Sequence, residues 1–243
     1  QSGLMNRLNP EPIEVVAMAS RRNLNVPVFE GIPFVDDIFS LAEREDIDVL
    51  VELIGGTEDA FTLVKAALAN GKSVVTANKA LLAHNGAALF QIARENGVSL
   101  LFEAAVCGGI PIIKALNESF VGNRVKGIAG VINGTTNFIL TKMAQQGQNG
   151  AFDAVLAEAQ RLGYAEADPT FDIGGMDAAH KLSIMAALAF HEPLQLDAIH
   201  VDGIESITSD DHEWSERLGF SIKHLGIALA DDSGIEMRVH PAL

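Results

Sequence analysis

Ionisable side chains are concentrated in one short segment of the chain, residues 163–181. Glu166, Asp168 and Asp172 stand in a stretch that is broken by a proline and by two consecutive glycines, which predicts a loop. A helical pattern begins directly after the glycines. Carboxylates gathered at the start of one helix are typical of an active site, so this segment is the first candidate for the chemistry of the protein.

Asp177 and Lys181 lie four residues apart in the helix predicted after this loop. That spacing places a carboxylate and an ammonium group on one helix face. The helix continues as an almost wholly apolar sequence and should be buried, and a lysine at the mouth of a buried helix can be held to pass a proton. The alternative is a surface ion pair beside the acidic first turn of an ordinary helix. The pair alone leaves both interpretations open.

The composition restricts the class of protein. The 243 residues include 32 acidic and 17 basic side chains, with a net charge of −15 and no basic block, which argues against nucleic acid and anionic membranes as partners. Cys107 is the only cysteine, so the chain has no internal disulfide framework. No apolar run approaches the roughly 20 residues that cross a bilayer. We therefore expect a soluble, cytoplasmic protein.

Short apolar strands alternate with helices in the first half of the chain. This rhythm predicts a doubly wound parallel sheet, an α/β fold of the Rossmann type. Ligands of such sheets bind beyond the carboxyl ends of the strands, where Gly55–Thr57 and Ala77–Lys79 fall. The predicted strands are 13–19, 47–54, 73–76 and 98–102, and the predicted helices are 37–45, 58–70 and 80–96.

The second half has a different order of elements, which predicts an α+β unit. We expect a nucleotide-binding domain over residues 1–108 and a domain for substrate binding, catalysis and dimerisation over residues 109–243. The predicted helices are 111–120, 136–146, 152–162, one from residue 175 and 210–218, with strands at 124–132 and 199–207 and a hairpin of 221–230 with 235–239.

A dinucleotide fold normally opens with a strand and a glycine-rich turn, and this sequence has no G-x-G-x-x-G. It begins at Gln1, so we expect an N-terminally incomplete chain in which 13–19 is the second strand; the alternative is that no dinucleotide binds. Arg21 and Arg22 follow that strand without a carboxylate, which favours NADP(H) over NAD(H) because arginine suits a 2′-phosphate. Two solvated arginines at the start of a loop are the alternative.

Residues 163–181 resemble the catalytic-domain signature of homoserine dehydrogenases, Gly-Tyr-Ala-Glu-x-Asp-Pro followed by an aspartate and Gly-x-Asp-x-x-x-Lys. Segments 51–57, 75–81, 102–113 and 133–140 are similar to further motifs of that family, in the same order. The resemblance implies reduction of L-aspartate 4-semialdehyde to L-homoserine by NADPH, and the reverse reaction, in threonine and methionine biosynthesis. A different oxidoreductase of an amino acid aldehyde and a non-catalytic binding or regulatory protein are the alternatives.

The resemblance also implies roles for individual residues. Lys181 is the proposed proton donor, Asp177 positions it, and Lys79 lies near the reacting centre. The cofactor's nicotinamide end would be approached by Thr57, Asn78 and Lys79. The substrate would contact Glu166, Asp172, Asp177, Thr135, Thr136 and Lys79.

The family further implies a monovalent cation, such as Na⁺, held by the carboxylate of Glu103 and the backbone carbonyls of Val106, Gly108 and Ile110. Oxygen ligands alone suit such a hard ion. We interpret Cys107, which lies inside this turn, as a small buried residue and not as a nucleophile. The sheet of the second domain pairs two subunits in the family, so we expect a homodimer or a larger homo-oligomer.

Overall fold

A computed structural model of the protein describes residues 12–20 and 30–243. Arg21 and Arg22 therefore lie outside the described residues. The described chain forms two compact units, one of residues up to Leu81 together with Asn85–Phe102, the other of Leu82–His84 together with Glu103–Leu243. The limits predicted for the two functional domains, 1–108 and 109–243, stay a prediction.

The first unit confirms the predicted α/β class, because its described strands pair in parallel and alternate with helices. β1 pairs with β2, and a separate sheet has the order β3-β4-β5. The elements are β1 Met18–Ala19, β2 Phe34–Val35, α1 Ser40–Glu43, β3 Val49–Glu52, α2 Glu58–Ala69, β4 Ser73–Thr76, α3 Lys79–Glu95 and β5 Leu100–Leu101.

Local sequence explains the two long helices of this unit. α2 begins with Glu58 and Asp59, whose negative charge favours a helix N-terminus, and it buries apolar residues three or four positions apart. α3 is capped by Asn78, whose side-chain oxygen accepts a hydrogen bond from the backbone N–H of Leu81 at 3.0 Å. Each of the two helices therefore begins after a strand of the parallel sheet.

The second unit is an α+β assembly, as predicted. Its four strands have the order β6-β8-β9-β7, with β7 parallel to β9 and the other pairs antiparallel. The elements are α4 Ile112–Lys114 with a π-helical turn Ala115–Ser119, β6 Gly127–Gly130, α5 Gly134–Gln146, α6 Phe152–Arg161, α7 Thr170–Ile173, α8 Met176–Phe190, β7 His200–Val201, α9 Ser209–Arg217, β8 Lys223–Asp231 and β9 Gly234–Ala242.

Helix α8 lies at the centre of this unit and packs against one face of the sheet. Its first turn approaches the sheet closely at Gly175, whose φ is +87°. A Cβ atom at Gly175 would stand 2.9 Å from a methyl group of Val201 and 3.3 Å from one of Val239. Glycine is therefore required there by backbone conformation and by space. Its lack of a side chain allows the start of α8 to pack closely against the sheet.

Some predicted elements differ from the structure. The strand predicted at 199–207 has only the two residues of β7, because the following chain turns away and the N–H of Ile204 bonds to the carbonyl of Ile173 in α7. β1 is likewise shorter than the predicted strand 13–19, and β2 was not predicted. Asp172, expected in a loop, lies within the one-turn helix α7. None of the helices in the described ranges is both long and apolar enough to span a membrane.

His224 in β8 makes the stability of the second unit dependent on pH. Its Nε2 lies 2.9 Å from the carbonyl oxygen of Asp202, which can only accept, so this nitrogen carries the proton. Nδ1 is buried, and no described residue offers it a hydrogen bond. Burial lowers the pKa of His224 below its usual range, against an opposing effect of the Asp202 carbonyl. The neutral ring is therefore the form that the fold accommodates.

We expect the free energy of unfolding to fall as the pH drops below about 6.5, the ordinary pKa of histidine. Below that pH the unfolded chain binds a proton that the folded chain excludes, so stability is complete above it and is lost beneath it. Urea unfolding followed by circular dichroism at pH 8 and pH 5.5 measures this loss. His224→Leu should be less stable at pH 8 by about 1–3 kcal/mol, because the Asp202 carbonyl loses its donor.

The same variant should lose less additional stability on acidification than the wild type. Part of the loss remains, because burial also lowers the pKa of His212. An equal loss in both proteins would contradict the role given to His224.

Candidate active site

Lys181 is held at the start of helix α8 by two oxygen atoms. Its Nζ donates to Oδ2 of Asp177 at 2.7 Å and to the carbonyl oxygen of Ile132 at 2.9 Å. The Lys181 side chain is 18% exposed and that of Asp177 is 6% exposed. This pair is therefore largely removed from water, unlike an ordinary surface i,i+4 pair. Among the described residues these are the acceptors of the ammonium group, so one of its three N–H bonds is left for a ligand.

Asn133 joins three elements at this point. Its Nδ2 donates to Oδ1 of Asp172 at 2.7 Å and to Oδ2 of Asp177 at 2.8 Å. Its Oδ1 accepts from the backbone N–H of Thr136 at 2.8 Å and from the Thr136 hydroxyl at 3.0 Å. Asn133 thus caps α5 and fastens α7 and α8 to that cap. The network contains Asp172, Asp177 and Lys181 from the predicted set.

Sequence reasoning gave Asn133 no role, although it stands first in the motif 133–140. The available signal was its position directly before a helix, where asparagine is a preferred cap. A cap uses only the side-chain oxygen, so the amide nitrogen remains free to donate elsewhere. Thr136, predicted to border the substrate, has a fully buried side chain in the structure and bonds to Asn133. Its predicted contact with a substrate stays a prediction.

Glu166 and Asp168 lie on an exposed loop in the same unit. The loop is fastened by Gln160 of α6, whose Nε2 donates to the carbonyl of Glu166 at 3.0 Å, and by Thr135 of α5, whose hydroxyl donates to the carbonyl of Tyr164 at 2.8 Å. These bonds engage the backbone of Glu166 and leave its carboxylate towards solvent. Thr135 is therefore placed against the loop that carries Glu166.

Asp168 has a local function in the structure. Its Oδ1 accepts from the backbone N–H of Thr170 at 3.1 Å, at the start of α7. Hydrogen bonds from Thr170 lower the pKa of the Asp168 carboxyl. Asp168 thus stabilises the turn that carries Asp172.

The turn over residues 103–110 contains the predicted cation ligands. The two oxygens of Glu103 accept the backbone N–H groups of Ile113 at 2.9 Å and Lys114 at 2.8 Å. Cys107 and Gly108 both have φ of +58°, so the backbone curls tightly here. A donor set of one carboxylate and backbone carbonyls fits a hard monovalent ion. No group of three or more His, Cys, Asp or Glu side chains in the described residues could hold a metal ion.

Cys107 lies close enough to the lysine site to be affected by its charges. Burial raises the pKa of the Cys107 thiol, with a lowering effect of Lys181 and a raising effect of Asp177. A protonated thiol is a poor nucleophile. This supports the interpretation of Cys107 as a small packing residue.

The predicted cofactor residues of the first unit lie at the carboxyl ends of β3 and β4. Gly55 and Gly56 have φ of +74° and +71°, and no atom lies within 4 Å of the position where either would carry a Cβ. This loop therefore leaves its backbone accessible. Asn78 is tied to it, since its Nδ2 donates to the carbonyl of Gly56 at 2.7 Å. Thr57 and Lys79 follow these strand ends in the chain, so the loop pair fits a nucleotide ligand of an α/β sheet.

Comparisons with known proteins identify the family of the chain. The sequence model of the family described as homoserine dehydrogenase matches residues 111–243, and that of the homoserine dehydrogenase NAD binding domain matches residues 3–103. A homoserine dehydrogenase of Pseudomonas aeruginosa is 54% identical over 231 residues, which cover 95% of this chain and 53% of that protein. The chain thus spans about half the length of the curated relatives that it matches.

Solved structures give the same result. A homoserine dehydrogenase of Thiobacillus denitrificans superposes with a TM-score of 0.88 at 53% identity, covering 94% of this chain and 53% of that one. A hyperthermophilic archaeal homoserine dehydrogenase in complex with NADPH superposes with a TM-score of 0.72 at 30% identity, covering 85% of this chain and 59% of that one. The chain belongs to the homoserine dehydrogenase family.

Proposed function

We propose that this chain supplies the cofactor and substrate sites of a homoserine dehydrogenase that reduces L-aspartate 4-semialdehyde to L-homoserine and catalyses the reverse reaction. The observation that carries the proposal is the position of Lys181 in the N-terminal half of the buried helix α8, where its ammonium group is held between Asp177 and the Ile132 carbonyl. An ammonium group in that position can act as a general acid. Membership of the family supports the substrate class.

The protein has to supply one proton to the carbonyl oxygen. Bound NADPH would provide the hydride for the aldehyde carbon. As the carbonyl π electrons move to oxygen, the free N–H of Lys181 gives its proton to that oxygen, and the product is an alcohol. Asp177 keeps the ammonium group oriented, and solvent returns the proton to the amine. In the oxidative direction the neutral amine removes the hydroxyl proton.

Charge complementarity supports the substrate contacts. L-aspartate 4-semialdehyde carries an α-ammonium group, and the exposed carboxylate of Glu166 suits such a cation. Asp172 offers a second carboxylate at the edge of the lysine network, fixed by Asn133. We propose that Thr135 lines the substrate site beside Glu166 and that Thr136 acts through Asn133.

Position at the sheet supports the cofactor contacts. We assign the nicotinamide end to Thr57, Asn78 and Lys79 at the ends of β3 and β4, with Lys79 also near the reacting carbonyl, and the 2′-phosphate of NADPH to Arg21 and Arg22. The NADPH complex of the archaeal relative supports a nicotinamide cofactor.

The turn with Glu103, Val106, Gly108 and Ile110 would hold a monovalent cation such as Na⁺.

An apolar sheet face supports a homodimer. In β8 the buried residues His224, Gly226 and Ala228 alternate with the more exposed Leu225, Ile227 and Leu229, so the latter lie on the opposite face from α8. We propose that this face meets its equivalent in a second copy, as apolar sheet faces do in isologous interfaces.

The first test concerns Lys181. We expect Lys181→Ala to lower kcat by about 10²- to 10⁴-fold, the usual size of general acid catalysis, while the variant still folds and binds NADPH. Its melting temperature should fall, because the largely buried Asp177 loses its ion-pair partner. Lys181→Arg should not restore the rate, because a guanidinium group does not give up its proton. Steady-state kinetics of the full-length enzyme measure both. Lys142→Ala, which removes a lysine of the same unit paired with Glu158 at 3.7 Å, is the matched control. A Lys181→Ala enzyme within a few-fold of the wild type would sink this assignment.

The second test concerns Glu166. Glu166→Gln should raise the substrate KM about 10- to 100-fold, the loss expected from one charged hydrogen bond, with NADPH affinity nearly unchanged. Asp153→Asn, which neutralises an exposed acid in the first turn of α6, should leave both constants at their wild-type values. A wild-type KM in the Glu166→Gln enzyme would show that this carboxylate serves only the loop.

The third test concerns the cofactor preference. Replacing Arg21 and Arg22 together by alanine should weaken the use of NADPH far more than that of NADH, because only NADPH carries a 2′-phosphate. The ratio of kcat/KM for the two cofactors measures the effect. Equal losses for both would separate these arginines from the 2′-phosphate.

A further inference from the structure

A buried glutamate stands at the end of strand β3, directly before the open glycine loop. Glu52 is 1% exposed, although its neighbours in the strand make up an apolar pattern. Burial of a carboxyl group is costly unless hydrogen bonds replace its contacts with water. The hydrogen bonds that Glu52 makes therefore indicate its structural role.

One oxygen of Glu52 shapes the loop that follows it. Oε1 accepts the backbone N–H groups of Ile54 at 2.9 Å and Gly55 at 3.1 Å. The side chain thus folds back over its own strand end. Two loop N–H groups are turned inward to the carboxyl group, and these hydrogen bonds hold the loop backbone in place.

The other oxygen of Glu52 reaches the neighbouring strand. Glu52 and Thr76 face each other in the register of β3 and β4, and the Thr76 hydroxyl donates to Oε2 of Glu52 at 2.5 Å. The same hydroxyl accepts the backbone N–H of Asn78 at 2.9 Å. The fully buried side chain of Thr76 therefore connects Glu52 by hydrogen bonds to the backbone of the second loop.

Asn78 closes the network on its outer side. Its Nδ2 bonds to the Gly56 carbonyl in the first loop, while its Oδ1 caps α3. The two loops are thus joined twice, once through Glu52 and Thr76 and once through the bond of Asn78 to Gly56. These contacts leave the glycine loop open to solvent.

We propose that Glu52 and Thr76 are positioning residues for the nicotinamide cofactor, which fix the loops 54–57 and 77–79 in their binding geometry. This inference rests on the proposed function, since Thr57, Asn78 and Lys79 in these loops are the proposed cofactor contacts. Neither positioning residue touches the cofactor. They lower the cost of binding because the loops need no further ordering.

The test compares variants that change one hydrogen-bonding group each. Thr76→Val keeps the shape and removes the hydroxyl, whereas Thr76→Ser keeps the hydroxyl. Glu52→Gln preserves an oxygen for the loop N–H groups but presents an NH₂ group to Thr76, so the buried hydroxyl of Thr76 loses the acceptor of its proton. Thr62→Val, which removes an exposed hydroxyl of α2 bonded to the carbonyl of Glu58, and Glu95→Gln at the end of α3 are matched controls.

We expect Thr76→Val and Glu52→Gln to raise the NADPH dissociation constant of the full-length enzyme roughly 10- to 100-fold, as misplaced contacts do. NADPH fluorescence at a temperature well below the melting point measures it. The KM for homoserine should change much less, and Thr76→Ser and both controls should bind NADPH within about threefold of the wild type. Variants that lower the melting temperature and yet bind NADPH like the wild type would overturn the proposal.

A measurement on the wild type keeps the proposal testable if the variants do not fold. In the peptide covering residues 53–57, the amide hydrogens of Ile54 and Gly55 should exchange slowly before NADPH is added, because these two N–H groups are already bonded to Glu52. Fast exchange that slows only with NADPH would overturn it. A wild type that binds no NADPH would instead refute the proposed function.

Discussion

The geometry of the lysine site depends on the amide group of Asn133. Two carboxylates, Asp172 and Asp177, lie within hydrogen-bonding distance of one nitrogen atom, and like charges in such proximity repel each other unless donors are shared between them. Asn133 supplies those donors, and Lys181 supplies the opposite charge. The starts of α5, α7 and α8 meet at this amide. Its loss would separate the carboxylates as well as release the helices that carry them.

The network is anchored to the sheet by a second asparagine on the same helix. Asn137 donates to the carbonyl of His224 at 3.0 Å and accepts its N–H at 3.0 Å, so it pairs with β8 as a neighbouring strand would. This pair of hydrogen bonds fixes the register between α5 and β8. The His224 ring then bonds to the carbonyl of Asp202. A continuous path of buried and part-buried hydrogen bonds thus connects Lys181, through Asp177, Asn133 and Asn137, with the strand on which α8 packs.

The sequence predicted the long elements and the ion pair that α8 carries. The i,i+4 spacing of Asp177 and Lys181 indicated a pair on one helix face, and the structure confirms it at 2.7 Å. The hairpin of β8 and β9 is confirmed as well. Patterns of 3.6 or 2 residues do not specify two-residue strands such as β1, β2 and β7, because their existence depends on partners that are distant in the chain.

The residues missed by sequence analysis share one property. Glu52 ends an apolar run and therefore has the pattern of a solvated strand end, whereas its burial depends on Thr76 across the sheet. Asn133 has the pattern of a simple helix cap. In both cases one half of the side chain has a local partner, which the sequence indicates, and the other half has a distant partner, which it does not.

The distinction also explains why asparagine stands at two of the strand ends described here. Asn78 and Asn133 each accept the N–H of the residue three positions later, as serine, threonine or aspartate would at a helix cap. Each also donates through its amide, Asn78 to the Gly56 carbonyl and Asn133 to two carboxylates. Aspartate would preserve the cap but has no proton to donate when ionised. At position 133 an aspartate would add a third carboxylate beside those of Asp172 and Asp177. Asparagine and aspartate cap helices equally well, but only the neutral amide of asparagine avoids this repulsion.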